Sequence, residues 1–298
     1  MDSVLEIPEP VSVCDVPLDA QTVTRLRRHG NPSGPRLVLT HGNGLAIDVY
    51  FPFWSLLADD FDLMIYDLRN HGWNSVGPQQ EHNVPTLIAD HDRILSHIKR
   101  VYGSKPTVGV FHSFSALVSM MSLTDAYSAL VLFDPPLCKP MGGEEEFDAA
   151  AERTAAMARR RTERFRAIDE LAMLLSFQPG LSDVASEVRE LMARATLRKR
   201  ADGRDFELRC PRDYEAQIAE YVRSFAPLLD LEMLACPTKV VGADPTLPYA
   251  YLPTFNLSQA AAIDYDFVPD ATHFLQLEKP AECAAILRAF LEELGIRN

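Results

Sequence analysis

A serine, a histidine and two aspartates stand where their side chains could cooperate in nucleophilic chemistry. Ser113 lies in Phe111-His112-Ser113-Phe114-Ser115, after the apolar run at 107–111 and before the helix-like HSFSALVSMMSL. A serine in a tight strand-to-helix turn is held out at the edge of a sheet with its hydroxyl exposed. Such a turn favours small residues two before and two after the serine; Ser115 is small and Phe111 is not. Ser115 is the competing nucleophile, but its own flank, Leu117, is bulky where a helix must pass the strand. A serine hydroxyl is a weak nucleophile until an imidazole takes its proton. His273 is the best-placed base, in the polar turn after the last strand-like run and before a C-terminal helix. His112 is too close in sequence to serve and should pack beside the turn, while His82, His91 and His97 lie in or near a helix. The imidazole tautomer must be held by an acid. Asp134 in VLFDPP and Asp244 in VVGADPTLP both end strand-like runs, and the residues alone leave both open.

The glycines of His41-Gly42-Asn43-Gly44, after the run RLVLT, allow backbone N–H groups to approach a substrate oxygen. The N–H groups of Asn43 and Phe114 would form a two-donor oxyanion hole. Acyl transfer by this set requires no metal and no organic cofactor. Asp90-His91-Asp92 is not read as a metal site, because adjacent residues on a helix point in different directions.

These residues need a parallel sheet to bring them together. Apolar runs at 36–40 and 63–66 read as buried strands, 22–29 as an edge strand, and 51–57 as a short helix. Between 86 and 102, Leu87, Ile94, Ile98 and Val101 form one helical stripe. Strand 107–111, the serine turn, a helix and strand 129–133 make a parallel βαβ unit. The rhythm resumes with strands at 238–241 and 265–268 and a helix at 280–294 opened by Pro280. Residues 137–236 interrupt it with Ala-, Arg-, Glu- and Leu-rich stretches that read as helices. The expected fold class is therefore α/β: a mostly parallel, doubly wound sheet from 1–136 and 237–298, with a helical cap inserted at 137–236. The cap residues Phe165, Met173, Leu174, Leu175, Phe177 and Leu191 are expected mainly to pack against the main domain, with a few reaching an acyl pocket.

A net charge of −13 argues against nucleic acid as a partner, since duplex binding needs a basic footprint. The run Arg159-Arg160-Arg161 reads as a solvated helix face. Five cysteines (14, 138, 210, 236 and 283) are scattered singly with no CxxC pair, the pattern of free thiols in a reducing compartment. The acidic, proline-broken N-terminus is no signal peptide, and no run approaches the roughly 18 apolar residues of a membrane span. A cytoplasmic protein is expected, with its oligomeric state left open.

Together, LVLTHGNG, IYDLRNHGWNS, FHSFSA, VVGAD and ATHF resemble the α/β-hydrolase family, most nearly a serine esterase or lipase-like branch with a helical cap. The order Ser, acid, His matches that family. In many members the acid follows the strand after the cap, which the resemblance carries to Asp244; others place it one strand earlier, at Asp134. The turn Asp67-Leu68-Arg69-Asn70-His71-Gly72 corresponds to one read as structural. Ser113 argues against the dehalogenase and epoxide hydrolase branches, whose nucleophile is an aspartate. The resemblance implies a serine hydrolase acting on a small-molecule acyl substrate: a carboxylic ester, lactone or thioester. The alternatives are a carbon–carbon bond hydrolase or cofactor-free oxygenase on the same fold, or a non-catalytic small-molecule-binding protein.

Overall fold

The computed structural model describes residues 4–122, 124, 126–137, 144–247 and 263–296. Before the insertion the strands are β1 (Ser12–Pro17), β2 (Val23–Gly30), β3 (Arg36–Leu39), β4 (Asp62–Tyr66), β5 (Thr107–His112) and β6 (Ala129–Phe133). The inserted segment carries β7 (Arg164–Phe165), β8 (Leu197–Lys199) and β9 (Phe206–Leu208), and the chain returns through β10 (Thr238–Gly242) and β11 (Ile263–Phe267). The main sheet has eight strands in the order β1-β2-β4-β3-β5-β6-β10-β11. Strands β4 to β11 along this order are parallel, and β1 and β2 are antiparallel.

The central strands β3, β4 and β6 are buried along their whole length, as continuous apolar runs must be when helices cover both faces. Neighbouring residues on one strand feed opposite cores. Leu37 and Leu39 pack with Phe53, Trp54 and Phe290, whereas Val38 packs with Leu87, Ile94 and Ile98. The covering helices are α1 (Phe51–Trp54), α2 (Val84–Tyr102), α3 (Phe114–Met120), α8 (Leu275–Glu278) and α9 (Pro280–Glu293); α4 to α7 belong to the insertion. Asn83 caps α2 by accepting from the Thr86 N–H at 2.9 Å. Val101, expected in the buried stripe of α2, is instead 51% exposed in its last turn.

Strand 22–29 is not the edge. β1 pairs outside it, from Ser12↔Arg28 to Pro17↔Val23. The pattern of β1 is mostly exposed, with Val16 its one buried residue, so little apolar signal marks it in the sequence.

The insertion contains α4 (Glu144–Arg160), α5 (Ile168–Leu175), α6 (Ser186–Thr196) and α7 (Arg212–Phe225). It is not purely helical, because β7, β9 and β8 form a three-stranded antiparallel sheet. Small residues let α4 and α7 approach closely, at Ala155, Ala158, Ala216 and Ala219. Phe165, Leu175 and Leu191 are buried as expected, but Met173, Leu174 and Phe177 are exposed. Cys14, Cys210, Cys236 and Cys283 are free thiols; Cys138 lies outside the described residues. Among the described residues no helix is long and apolar enough to cross a membrane.

Candidate active site

β5 ends at His112 and α3 begins at Phe114, leaving Ser113 alone in the turn with φ 53° and ψ −120°. A positive φ at a non-glycine residue costs about 1–3 kcal/mol and persists only where the surroundings enforce it. Here the Ser113 N–H is held by the Phe133 carbonyl at 2.9 Å, across the β5–β6 pair. The bulky Phe111 is accommodated away from the turn. Its ring lies over Gly109, where an added Cβ would stand 2.4 Å from the Phe111 ring edge. The small residue that this turn needs is thus displaced two positions along the strand. Ser115 is buried, donating through Oγ to the His112 carbonyl at 2.9 Å and accepting from the His112 N–H at 3.0 Å.

His273 brings Nε2 to 3.0 Å from Ser113 Oγ and Nδ1 to 2.5 Å from Asp134 Oδ2. A carboxylate can only accept, so Nδ1 carries the proton and Nε2 offers its lone pair to the serine hydroxyl. Asp134 follows β6 with φ 40°, its N–H bonded to the Val241 carbonyl at 2.8 Å. Burial pushes its carboxyl up, but the hydrogen bond and charge of His273 outweigh this and hold it below the ordinary aspartate range.

Asp244, the acid favoured by family resemblance, is engaged elsewhere. Its Oδ1 accepts from the Thr246 N–H at 2.8 Å and hydroxyl at 2.7 Å, and its Oδ2 from the Asp270 N–H at 2.8 Å. These bonds, led by the Thr246 hydroxyl, draw its carboxyl down. The Asp244 N–H also bonds the Ala271 carbonyl, so this residue fastens the loop that carries His273.

His112 packs beside the turn, and it also links two parts of the site. Its Nε2 lies 2.8 Å from the His273 carbonyl and its Nδ1 2.7 Å from the Tyr50 hydroxyl. The carbonyl requires a proton on Nε2, so Nδ1 accepts from Tyr50, whose oxygen in turn accepts from the Gly42 N–H at 3.1 Å. Burial, then the charge of His273, lowers His112 to about 3, and it stays neutral. This chain joins the 41–44 loop to the backbone of His273. Only the loop positions of Gly42 and His112 hinted at it in the sequence; Tyr50 carried no signal.

In that loop, the Gly42 N–H is taken by Tyr50 and the Gly44 N–H by His71 Nε2 at 3.0 Å. The Asn43 N–H between them has no acceptor among the described residues. Phe114 is the first residue of α3, where an N–H has no intrahelical acceptor. The Asn43 side chain donates from Nδ2 to the Glu215 carbonyl at 2.7 Å, tying the loop to α7. Gly44 has φ +74°, and an added Cβ would stand 2.6 Å from the Glu215 carboxyl carbon. Glu215 is itself paired with Arg161, so that part of the basic run is not simply solvated.

The turn at 67–72 is structural, as expected. Asp67 accepts from the Ile47 and Trp73 N–H groups, and Arg69 grips Asp90 with two hydrogen bonds. Asp90, His91 and Asp92 point to different partners: Arg69, the tyrosines 66 and 127, and Ser122. His71, His82 and Cys210 bring ligand-type atoms within 4.8 Å of one another. Both nitrogens of His71 are committed, however, Nδ1 donating to the Arg69 carbonyl and Nε2 accepting from Gly44.

A family model described as "Alpha/beta hydrolase family" matches residues 37–286. A poly(3-hydroxyalkanoate) depolymerase of Ectopseudomonas oleovorans is 28% identical over 104 residues, covering 35% of this chain and 36% of that protein. The match thus spans about a third of the depolymerase. Among solved structures, E-2-(acetamidomethylene)succinate hydrolase superposes with a TM-score of 0.75 at 18% identity, covering 94% of this chain and 99% of that one. The thioesterase domain from the curacin biosynthetic pathway gives 0.71 at 16% identity, covering 93% and 99%. At these identities the superpositions speak for the fold, and the family match adds the sequence: the chain belongs to the alpha/beta hydrolase family.

Proposed function

We propose that this hydrolase of the α/β fold transfers acyl groups to water through a Ser113 acyl-enzyme. The observation that carries the reading is His273, bonded on one side to Ser113 Oγ at 3.0 Å and on the other to Asp134 at 2.5 Å. In the proposed cycle His273 Nε2 takes the hydroxyl proton as Ser113 Oγ attacks the substrate carbonyl. Asp134 keeps the proton on Nδ1 and stabilises the imidazolium. The N–H groups of Asn43 and Phe114 receive the oxyanion. As the tetrahedral intermediate collapses, His273 returns its proton to the leaving oxygen or sulfur. Water, deprotonated by His273, then attacks the acyl-enzyme, releasing the acid and restoring Ser113. The substrates are carboxylic esters, lactones or thioesters, and a depolymerase and a thioesterase among the similar proteins support an acyl substrate. Residues 137–236 act as the cap over this site.

The test is labelling by a fluorophosphonate, followed by turnover of a panel of esters, lactones and thioesters. Labelling should be lost in Ser113→Ala and kept in Ser115→Ala, with turnover in Ser113→Ala down about 10⁴-fold or more. A folded wild type that neither labels nor turns over any of the panel would overturn the reading. Activity on a diketone that survives in Ser113→Ala would replace it with a reaction that does not pass through the serine.

A further inference from the structure

A second concave site lies on the other edge of the main sheet, between the N-terminal segment, β2 and α6. It encloses about 470 Å³, within the range of small-molecule pockets. One wall is apolar, formed by Leu5, Ile7 and Pro8 from the N-terminal segment, Val13 from β1 and Leu191 from α6. The other holds Trp73 and four arginines, in a chain whose net charge is −13.

Two of these arginines are paired, Arg25 with Asp15 at 3.6 Å and Arg27 with Asp48. Asp48 is already used, accepting from Arg27 at 2.5 Å and from the Trp73 indole N–H at 2.9 Å. Arg209 is held by the carbonyls of Leu197 and Gly72, both at 2.9 Å, with its guanidinium 4.9 Å from the Trp73 ring centroid. Arg194 donates to the Leu5 carbonyl at 3.0 Å. Neither Arg194 nor Arg209 has a carboxylate within ion-pair distance among the described residues, and Glu9 stands exposed at the rim. Carbonyls orient a guanidinium but do not neutralise it, and a partly buried cation favours an anion. Burial draws Arg209 below the usual arginine value, and the carboxylates of Asp67 and Asp48, beyond ion-pair distance, offset this only in part.

We propose that this groove binds an amphiphilic carboxylate, its head group on Arg194 and Arg209 and its chain along Leu5, Ile7, Val13 and Leu191. The site is independent of the Ser113 chemistry, and its test reads binding, not turnover. The chain has two tryptophans; Trp54 is 1% exposed and Trp73 is 56% exposed, so Trp73 reports on the groove. Laurate titrated into the wild type should shift the Trp73 emission saturably and raise the melting temperature, as a ligand of the folded state must. Dodecyltrimethylammonium, with the same chain and the opposite charge, should give no saturable shift, and neither should acetate at the same concentration. Arg194→Gln should weaken laurate binding tenfold or more. Ala195→Phe, which fills the groove from α6, should weaken it similarly without touching the arginines. The proposal is overturned if laurate gives no saturable shift, if the cationic amphiphile binds equally well, or if both variants bind laurate like the wild type.

Discussion

Asp134 Oδ2 meets Nδ1 of His273 at 2.5 Å across 139 positions of chain, while Asp244, nearer in sequence, spends both its oxygens on Thr246 and Asp270. The pair sits at the ends of two different strand connections, and the proposed mechanism gives it the task of holding the imidazole tautomer. Asp134→Asn should therefore lower kcat by about 10³–10⁴-fold with the fold intact, because an amide can stabilise the wrong tautomer. Asp244→Asn should stay within about tenfold of wild-type kcat and melt at a lower temperature, because its turn loses carboxylate hydrogen bonds. Steady-state kinetics and urea melts on both variants check this, and the opposite ranking would return the acid role to Asp244.

Tyr50 offers a subtler perturbation. Tyr50→Phe removes the hydroxyl that accepts from Gly42 and donates to His112, leaving two buried groups without partners. The expected cost is about 1–3 kcal/mol of stability. Because the link ends on the His273 backbone, kcat should fall further than KM changes. A variant with normal kcat and only a lower melting temperature would make the chain purely structural.

Gly44 cannot take a side chain without displacing the Glu215 carboxylate, which is held by Arg161. Gly44→Ala meets both a left-handed φ of +74° and the Glu215 carboxylate. Its kcat/KM should drop about 10- to 100-fold as the Asn43 N–H is displaced from its position. Asn43→Ala, which cuts the side-chain bond to α7 and keeps the backbone N–H, should be milder. Equal losses in the two would point to the side chain and away from the N–H.

Acid should unfold this protein early. His29, His41, His71, His82, His91 and His112 are buried, and burial is the first cause holding each below its ordinary value. The values fall to about 4 for His29 and His41, about 3 for His71, His91 and His112, and about 2 for His82. Unfolded histidines take up protons near pH 6.5. Below that pH the unfolded chain binds more protons than the folded one, so stability falls as the pH drops, by about 1.4 kcal/mol per pH unit for each fully protonated histidine. Melting temperatures should be flat above about pH 7 and collapse between about pH 6 and 4. His29→Leu should flatten that slope by about one proton, since the His29 ring packs on Trp54 and its Nε2 makes no hydrogen bond.

Much of this arrangement was legible in the residues, for reasons that differ by element. β3, β4 and β6 announced themselves as unbroken apolar runs because both their faces are covered. Ser113 and His273 stood out because each occupies a short polar gap between a strand pattern and a helix pattern. The acid did not, because Asp134 and Asp244 share the same local setting, the end of a buried strand before a proline. What separates them is the positive φ of Asp134 and the hydrogen bonds of Asp244 to its own turn, and neither has a local signature. β7, β8 and β9 are two or three residues long, too short to show alternation. Gly109 carries no signal of its own, because the turn rule bears on the residues two from the serine, whereas Phe111 moves the need for space two residues further.

The strand on which Asp134 is carried also bears on how freely this protein can be remodelled. Ser113 and Asp134 are both in place before the chain leaves β6, and it returns on β10, which pairs directly with β6 from Thr238↔Leu130 onward. The excursion therefore begins and ends at adjacent strands, and lengthening such a loop costs closure entropy only slowly. Were the partner of His273 carried after β10 instead, every change in the excursion would pull on it. With the proposed acid directly after β6, the segment can be enlarged while Ser113 and Asp134 keep their spacing, provided α7 still meets the 41–44 loop through Glu215. Under the proposed mechanism, substrate choice can then drift while the pair that orients His273 stays fixed.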